Sequence, residues 1–96
     1  MKSDYQFLII YKIKLLREQH NISQNKLANY LGISNGQMGN IESPKMSTKY
    51  TLSQIYSLCK FLGIRIEHLF LEDKDYLEDN DVIDLLIHKI IKYEGR

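Results

Sequence analysis

Two short helical patterns lie on either side of a single glycine, Gly32. Ser23 is a residue type that caps helix N-termini, and it predicts a helix over about residues 24–31. Gly32 ends this helix, because glycine adopts the left-handed conformation at little cost. Ser34 begins a second helix, which cannot continue through Pro44. Two helices this short, joined by so tight a turn, must cross steeply and share one apolar face.

The packing face of this helix pair follows from the positions of its apolar residues. The residues that point inward are Leu27, Leu31, Ile33, Met38 and Ile41, with Ala28 small where the helices come close. Ser34 and Gln37 have the spacing of a capping box, in which each side chain bonds to the backbone of the other residue. We expect the second helix to run from Ser34 to about Glu42 or Ser43.

The rest of the sequence predicts further helices and no convincing strand, so the predicted fold class is all-α. The pair around Gly32 supplies the second and third helices of the chain. The first helix is expected to be capped by Ser3 or Asp4 and to end near His20, and a fourth over about 51–62 begins with a capping box of Thr51 and Gln54 and stops at Gly63. A short fifth helix over about 66–70, a charged linker over 71–80, and a final helix capped by Asn80 or Asp81 and ending near Tyr93 complete the chain.

Composition argues against several classes of protein. Cys59 is the one cysteine, so a disulfide within the chain and a thiolate metal cluster are both impossible, and we expect its side chain to be buried. The histidines lie far apart and the acidic segment 73–81 lacks the glycine and glutamate of a calcium loop, so we expect no metal and no cofactor. No phosphate loop or nucleophile–base pair predicts an enzyme. No segment resembles a membrane span or signal peptide, so we expect a cytoplasmic protein.

Charge is divided unevenly along the chain. Residues 1–71 carry nine Lys and Arg residues against four Asp and Glu, whereas residues 72–96 carry four against eight. A basic body with an acidic end is typical of a domain that faces an anionic partner and has a separate C-terminal element. Two ordinary solvated faces would give the same counts, so both interpretations stay open.

The spacing of these residues resembles that of the phage repressor and Cro family, the xenobiotic-response-element type of helix-turn-helix transcriptional regulator. The matching residues are Ile13, Leu16, Arg17, Ser23, Gln24, Leu27, Ala28, Gly32, Ile33, Ser34, Met38, Ile41, Glu42, Leu62, Gly63, Ile64, Leu69 and Phe70. The resemblance implies a five-helix DNA-binding domain, here with an additional C-terminal helix, whose third helix enters the major groove of double-stranded operator DNA. A bacterial or phage origin is expected on the same ground.

The outward face of the third helix is expected to read the bases, and its candidate residues are Asn35, Gly36, Gln37 and Asn40. Asn and Gln bond bidentately to adenine, and no Lys or Arg is present to bond to guanine, so we predict half-sites containing A·T pairs. Gly36 and Gly39 either let the helix backbone approach DNA closely or are merely tolerated. Gln37 is equally suited to contacting DNA and to capping Ser34.

The candidate phosphate contacts surround this helix: Gln24, Lys26, Ser34, Lys45 and Lys49. Gln24 and Ser34 stand at helix N-termini, which favour anions, whereas the three lysines supply charge. The resemblance also implies that Arg17 pairs with Glu42 in a partly buried ion pair that orients the third helix. We expect this pair to be structural.

The last helix is apolar around most of its circumference, so it must be buried on most faces. We expect residues 1–71 to form the DNA-binding domain and residues 72–96 to form an acidic linker and a dimerisation helix. The expected homodimer residues are Ile83, Leu86, Ile87, Ile90 and Tyr93. The alternative is that this helix only completes the core of a monomer.

Two functions are consistent with these patterns. The first is a transcriptional regulator, most simply a repressor, that binds double-stranded DNA as a homodimer. The second is an interaction module, or an antitoxin-like regulator, that uses the same scaffold to bind a partner protein. A steep salt dependence of binding to duplex DNA favours the first, because phosphate contacts release counterions.

Overall fold

The computed structural model describes residues 1–77 and 81–95. Within these ranges the chain forms seven α-helices and no strand, which confirms the predicted all-α fold. The helices are α1 (Asp4–Gln19), α2 (Gln24–Leu31), α3 (Asn35–Glu42), α4 (Leu52–Leu62), α5 (Glu67–Phe70), α6 (Asp73–Leu77) and α7 (Val82–Glu94).

Short polar side chains begin most of these helices, as the sequence predicts. The N-caps that accept a backbone hydrogen bond are Ser3 for α1, Ser23 for α2, Ser34 for α3, Thr51 for α4 and Asp81 for α7. Gly32 and Gly63 end α2 and α4 in the left-handed conformation, with φ of 73° and 69°. The predicted bounds of α2, α3 and α4 therefore agree with the structure to within a residue or two.

The predicted capping box at α3 is wrong in one half. Ser34 Oγ accepts a hydrogen bond of 3.0 Å from the Gln37 backbone N–H. In the described part of the chain, however, the Gln37 side chain makes no return bond to Ser34. The Gln37 amide is exposed instead, unlike the corresponding glutamine side chains of Gln6 and Gln54, which complete the boxes of α1 and α4.

The segment predicted to be a charged linker contains α6. Leu71, just before it, is 4% exposed and belongs to the buried set rather than to a solvated linker. Asp75 is buried, and its Oδ2 accepts a hydrogen bond of 2.7 Å from the Glu72 N–H, so an acidic residue of this segment bonds to the start of its own helix. The expected linker residues 78–80, including Asn80 as an alternative cap, lie outside the described residues.

One core joins α1, α2, α3, α4, α5 and α7. Its buried members are Ile9, Ile10, Ile13, Leu27, Ala28, Met38, Ile41, Tyr50, Ile55, Leu58, Cys59, Leu62, Leu69, Phe70 and Tyr93. Burial, and secondarily the nearby Glu67 carboxylate, raises the pKa of the Cys59 thiol to about 11. Cys59 is 4% exposed, and it is a small buried side chain, as expected from its type.

The last helix packs on α1 and α5, and this placement corrects one expected dimer contact. Tyr93 is fully buried: its ring meets that of Phe70 edge-on at 5.9 Å, and its hydroxyl donates a 2.8 Å hydrogen bond to the Tyr50 carbonyl. The assignment of Tyr93 to a dimer interface is wrong, because this side chain completes the domain's own core. Leu86 and Ile90 pack against the same core and are half-buried.

No helix among the described residues is long and apolar enough to cross a membrane.

Candidate nucleic-acid interface

Helix α3 has one buried face and one exposed face. Met38 and Ile41 are fully buried and fix the inner face against the core. The predicted base-reading residues Asn35, Gly36, Gln37 and Asn40 are all exposed on the rest of the helix. An eight-residue helix that displays side-chain amides to solvent over its whole length offers donors and acceptors to a partner that enters from outside.

The glycines of α3 have no packing role in the protein itself. A Cβ atom added at Gly36 would lie 3.9 Å from the nearest atom, Ser34 Oγ, and one added at Gly39 would meet nothing within 4 Å. Neither residue has the positive φ that favours glycine. Each glycine nevertheless costs a helix interior about 1 kcal/mol relative to alanine. The fold does not need glycine at either position.

An ion pair anchors the end of α3 to α1. Arg17 Nε lies 2.9 Å from Glu42 Oε2, and the Nη2 of the same guanidinium lies 3.0 Å from Oε1. Arg17 Nη1 also donates to the Ile22 carbonyl at 2.8 Å, so one side chain joins α1, the turn before α2 and α3. This is the geometry of the ion pair that the family resemblance implied for Arg17 and Glu42.

Gln24 belongs to the same network. Its Nε2 donates a 2.8 Å hydrogen bond to Glu42 Oε1, although the residue itself is exposed at the first position of α2. The sequence placed Gln24 among the phosphate contacts and gave no sign that it bonds to Glu42. One amide hydrogen of Gln24 is thus committed to joining α2 to α3, which leaves the second hydrogen of this amide for another partner.

The other expected phosphate contacts are spread around α3. Ser34 is exposed at its N-cap, and Lys26 is exposed in the first turn of α2. Lys45 and Lys49 lie in the segment over residues 43–50 that joins α3 to α4, hereafter the α3–α4 loop; Lys45 is exposed and Lys49 half-buried. The structure thus places these side chains in the first turn of α2, at the N-cap of α3 and in the loop that follows α3.

Lys2 is a residue of this region that the sequence did not indicate. Its Nζ donates to the carbonyls of Ser43 and Met46, both at 2.6 Å, and to that of Asn40 at 3.3 Å. The side chain is only 9% exposed, and its burial lowers the pKa of the ammonium group. These contacts join residues about forty positions apart in the sequence, so no local sequence pattern predicts them.

The far end of the α3–α4 loop is also fixed by a distant residue. Tyr50 is fully buried, its carbonyl accepts the Tyr93 hydroxyl, and its own hydroxyl lies 3.5 Å from Met38 Sδ. Burial, with the negative charge of Glu42 as a second cause, raises the pKa of Tyr50. Burial raises the pKa of Tyr93 as well. Both hydroxyls are therefore neutral donors at physiological pH.

Among the described residues, no group of three or more His, Cys, Asp or Glu side chains is arranged to hold a metal ion.

Helices α2 and α3 are short and are joined through Gly32. One face of α3 is buried against the core and the other is exposed to solvent, and this arrangement defines a helix-turn-helix protein. In this class of DNA-binding regulator the second helix of the pair lies in the major groove. The chain belongs to the family of helix-turn-helix domains, whose pattern it matches over residues 10–73. It is 34% identical over 64 residues, 67% of this chain and 94% of the relative, to an uncharacterised HTH-type transcriptional regulator of Methanocaldococcus jannaschii. No solved structure matches the chain. Lys2 and Tyr93 lie outside the matched range.

Proposed function

We propose that this protein is a sequence-specific transcriptional regulator that binds double-stranded DNA as a homodimer and reads the major groove with α3. The observation that carries the proposal is the outward face of α3, where exposed amides stand beside glycines that the fold does not require. The M. jannaschii relative, named as a transcriptional regulator, supports the same function. The phage repressor and Cro type is the form of helix-turn-helix regulator that we propose.

Base reading is assigned to Asn35, Gln37 and Asn40, with Gly36 as a point of close backbone approach. Because Gln37 makes no return bond to Ser34, its amide is available to a base edge. Asn and Gln side chains pair with adenine N6 and N7 through two hydrogen bonds. We therefore propose half-sites that contain A·T pairs.

Phosphate contacts are assigned to residues at the rim of the same face. The exposed N-termini of α2 and α3, at Gln24 and Ser34, present backbone N–H groups and the positive ends of helix dipoles. Lys26, Lys45 and Lys49 supply positive charge. Since the Gln24 side chain already bonds to Glu42, its phosphate contact would use the remaining amide hydrogen or the backbone.

The proposed dimer contact is a stripe of exposed isoleucines on α7. Ile83 is 71% exposed, Ile87 49% and Ile91 44%, and they recur every four residues on one side of the helix. A two-fold contact between antiparallel copies of α7 centred on Ile87 would place each Ile83 against the partner's Ile91. Leu86 and Ile90 would then support the stripe from beneath rather than form its outer surface.

We propose that residues 1–71 bind DNA and that residues 72–96 extend the same core and carry this dimer stripe. Repression is the simplest mode of action, because a dimer that occupies two half-sites about one helical turn apart blocks other proteins from that DNA. A separate effector domain is not needed for such a mechanism.

The decisive experiment is selection of bound duplexes from a randomised library, followed by affinity measurements over a range of salt concentrations. We expect enrichment of two-fold symmetric sites with A·T pairs and a steep fall of affinity with salt. Asn35→Ala combined with Asn40→Ala should lower affinity for the selected site by about thirtyfold or more, since each amide–adenine pair contributes about 1–3 kcal/mol and the two together at least about 2 kcal/mol.

The matched control is Asn29→Ala combined with Gln19→Ala, which removes two exposed amides that lie outside α3. These substitutions should leave affinity unchanged. Enrichment of G·C pairs alone would contradict the assignment of the reading face. Absence of duplex binding together with salt-insensitive binding to a host protein would instead support the interaction module.

A further inference from the structure

The α3–α4 loop carries two of the proposed phosphate contacts, Lys45 and Lys49, and it contains no helix or strand. A loop of this length would ordinarily be mobile, and a mobile lysine contributes less to binding because its ordering opposes association. Here both ends of the loop are held by residues from the two ends of the chain, outside the range that matches the helix-turn-helix family.

The first end is held by Lys2. Its ammonium group has three N–H donors, and three carbonyls, those of Asn40, Ser43 and Met46, lie within 3.3 Å. Asn40 and Ser43 stand at the C-terminus of α3, where the helix dipole favours a positive charge. Met46 lies beyond Pro44, so a single side chain fixes the end of the reading helix and the loop segment around Lys45.

The second end is held by Tyr93. Its hydroxyl donates to the carbonyl of Tyr50, the residue after Lys49, and both tyrosines are fully buried. The Tyr50 hydroxyl in turn contacts Met38 Sδ at 3.5 Å, on the inner face of α3. Tyr93 of α7 therefore bonds to Tyr50, the buried residue that follows Lys49 and packs beneath α3.

The two contacts are themselves linked. Gln6 Nε2, in the first turn of α1, donates a 2.7 Å hydrogen bond to the Tyr93 carbonyl at the end of α7. The oxygen of the same Gln6 amide accepts from Ser3, the N-cap that follows Lys2. The N-terminus of α1 and the C-terminus of α7 are thus joined by hydrogen bonds. Lys2 bonds to one end of the α3–α4 loop and Tyr93 bonds to the other.

We propose that Lys2 and Tyr93 are positioning residues for DNA binding: they order the α3–α4 loop so that Lys45 and Lys49 meet phosphates, without touching DNA themselves. This inference rests on the proposed function. It also gives α7 a role in DNA affinity that is separate from dimerisation, since Tyr93 points inward while Ile83, Ile87 and Ile91 are exposed.

The test uses Tyr93→Phe and Lys2→Met in the full chain, with amide hydrogen exchange of residues 45–50 and duplex affinity as a function of salt. We expect exchange in the loop to accelerate by about tenfold or more, as local opening becomes easier. Affinity at low salt should fall by about tenfold or more, and the slope of log affinity against log salt should become shallower by about three to four, as expected when two phosphate contacts are lost in each subunit of the dimer.

Two control variants separate positioning from general stability. Tyr5→Phe removes another tyrosine hydrogen bond to a backbone carbonyl, that of Phe70 at 3.0 Å, which lies away from the loop. It should leave loop exchange and the salt slope unchanged. Lys2→Arg keeps a positive charge and several N–H donors and should retain more of the wild-type slope than Lys2→Met.

Unchanged loop exchange in both test variants would overturn the proposal, as would a wild-type salt slope in a variant whose loop has been released. Loss of the folded state in both variants would also overturn it, because the residues would then act on stability rather than on the loop. If the wild-type chain bound no duplex DNA, the proposed function would fail, and loop exchange would still decide whether Lys2 and Tyr93 hold the loop.

Discussion

Arg17 and Glu42 meet through two parallel hydrogen bonds, Nε to Oε2 at 2.9 Å and Nη2 to Oε1 at 3.0 Å, with side chains only 8% and 4% exposed. Such a bidentate pair fixes orientation as well as distance. Because Glu42 is the last residue of α3 and Arg17 lies in the last turn of α1, the pair fixes the C-terminal end of α3 against α1.

Arg17→Met should destabilise the protein by about 3 kcal/mol or more, because it leaves the Glu42 carboxylate buried without its cation. Urea denaturation measures this loss directly. The matched control is Arg65→Met: Arg65 pairs with Glu67 at 3.9 Å but is 80% exposed, and such surface pairs contribute at most about 1 kcal/mol. Arg17→Met with Glu42→Leu should recover much of the stability. Equal losses in Arg17→Met and the control would contradict a structural role for the pair.

Gly36→Ala and Gly39→Ala should change stability and DNA affinity in opposite directions. Each substitution should raise the free energy of unfolding by up to about 1 kcal/mol, since the added Cβ meets no close atom and alanine favours the helix. The same methyl groups should weaken binding to the selected duplex if the α3 backbone approaches DNA closely. Urea denaturation and duplex titration of the same variants test both effects.

Asn29→Ala is the control for this pair of measurements, since it improves helix propensity at an exposed position of α2. It should stabilise the protein slightly and leave duplex affinity unchanged. If Gly36→Ala and Gly39→Ala also stabilised the protein without changing duplex affinity, the two glycines would have no role in DNA binding.

The helix pair around Gly32 could be predicted from the sequence because its signals are local. Ser23 and Ser34 bond to backbone groups three residues away, and the left-handed turn needs only Gly32 itself. The same short range explains the agreement at the ends of α4. Patterns of this kind do not depend on how the rest of the chain folds.

The contacts that hold the α3–α4 loop could not be predicted in this way. Lys2 bonds to carbonyls 38 to 44 residues along the chain, and the Tyr93 hydroxyl bonds to a carbonyl 43 residues away. A backbone carbonyl has no sequence signature. The apolar residues of α7 surround the helix, so periodicity could not show that Tyr93 faces inward while Ile87 faces outward.

Stability should fall at alkaline pH because three tyrosines are held neutral by burial. Burial, then the charges of Asp75 and Glu72, raises the pKa of Tyr5 to about 12, and burial raises the pKa values of Tyr50 and Tyr93. In the unfolded chain these groups ionise near pH 10. Their contribution is therefore complete below about pH 10 and is lost as pH rises towards about pH 12.

Urea denaturation at increasing pH should show this loss, with each fully buried tyrosine contributing up to about 1.4 kcal/mol per pH unit. Tyr93→Phe should make the decline less steep, whereas Tyr11→Phe, at a side chain that is 44% exposed, should not change it. A decline that is equally steep in Tyr93→Phe would show that the loss comes from other groups.

The isoleucine stripe of α7 should control assembly without controlling the fold. Ile87 lies at its centre and is 49% exposed, so Ile87→Lys removes apolar contact area and places a charge where the partner copy would pack. We expect sedimentation to show a dimer for the wild-type chain and a monomer for the variant, with unchanged helix content. Duplex affinity should fall by about a hundredfold, because the two half-sites are no longer bound by linked domains.

His88→Lys is the matched control, since His88 is the next residue, has a side chain that is 68% exposed and lies off the stripe. It adds the same charge to α7 and should leave both the dimer and the affinity intact. A wild-type monomer, or a dimer that survives Ile87→Lys, would move the subunit contact to another surface. If both Ile87→Lys and His88→Lys raised the affinity for DNA, the added positive charge on α7, and not dimerisation, would govern the effect of this helix on DNA binding.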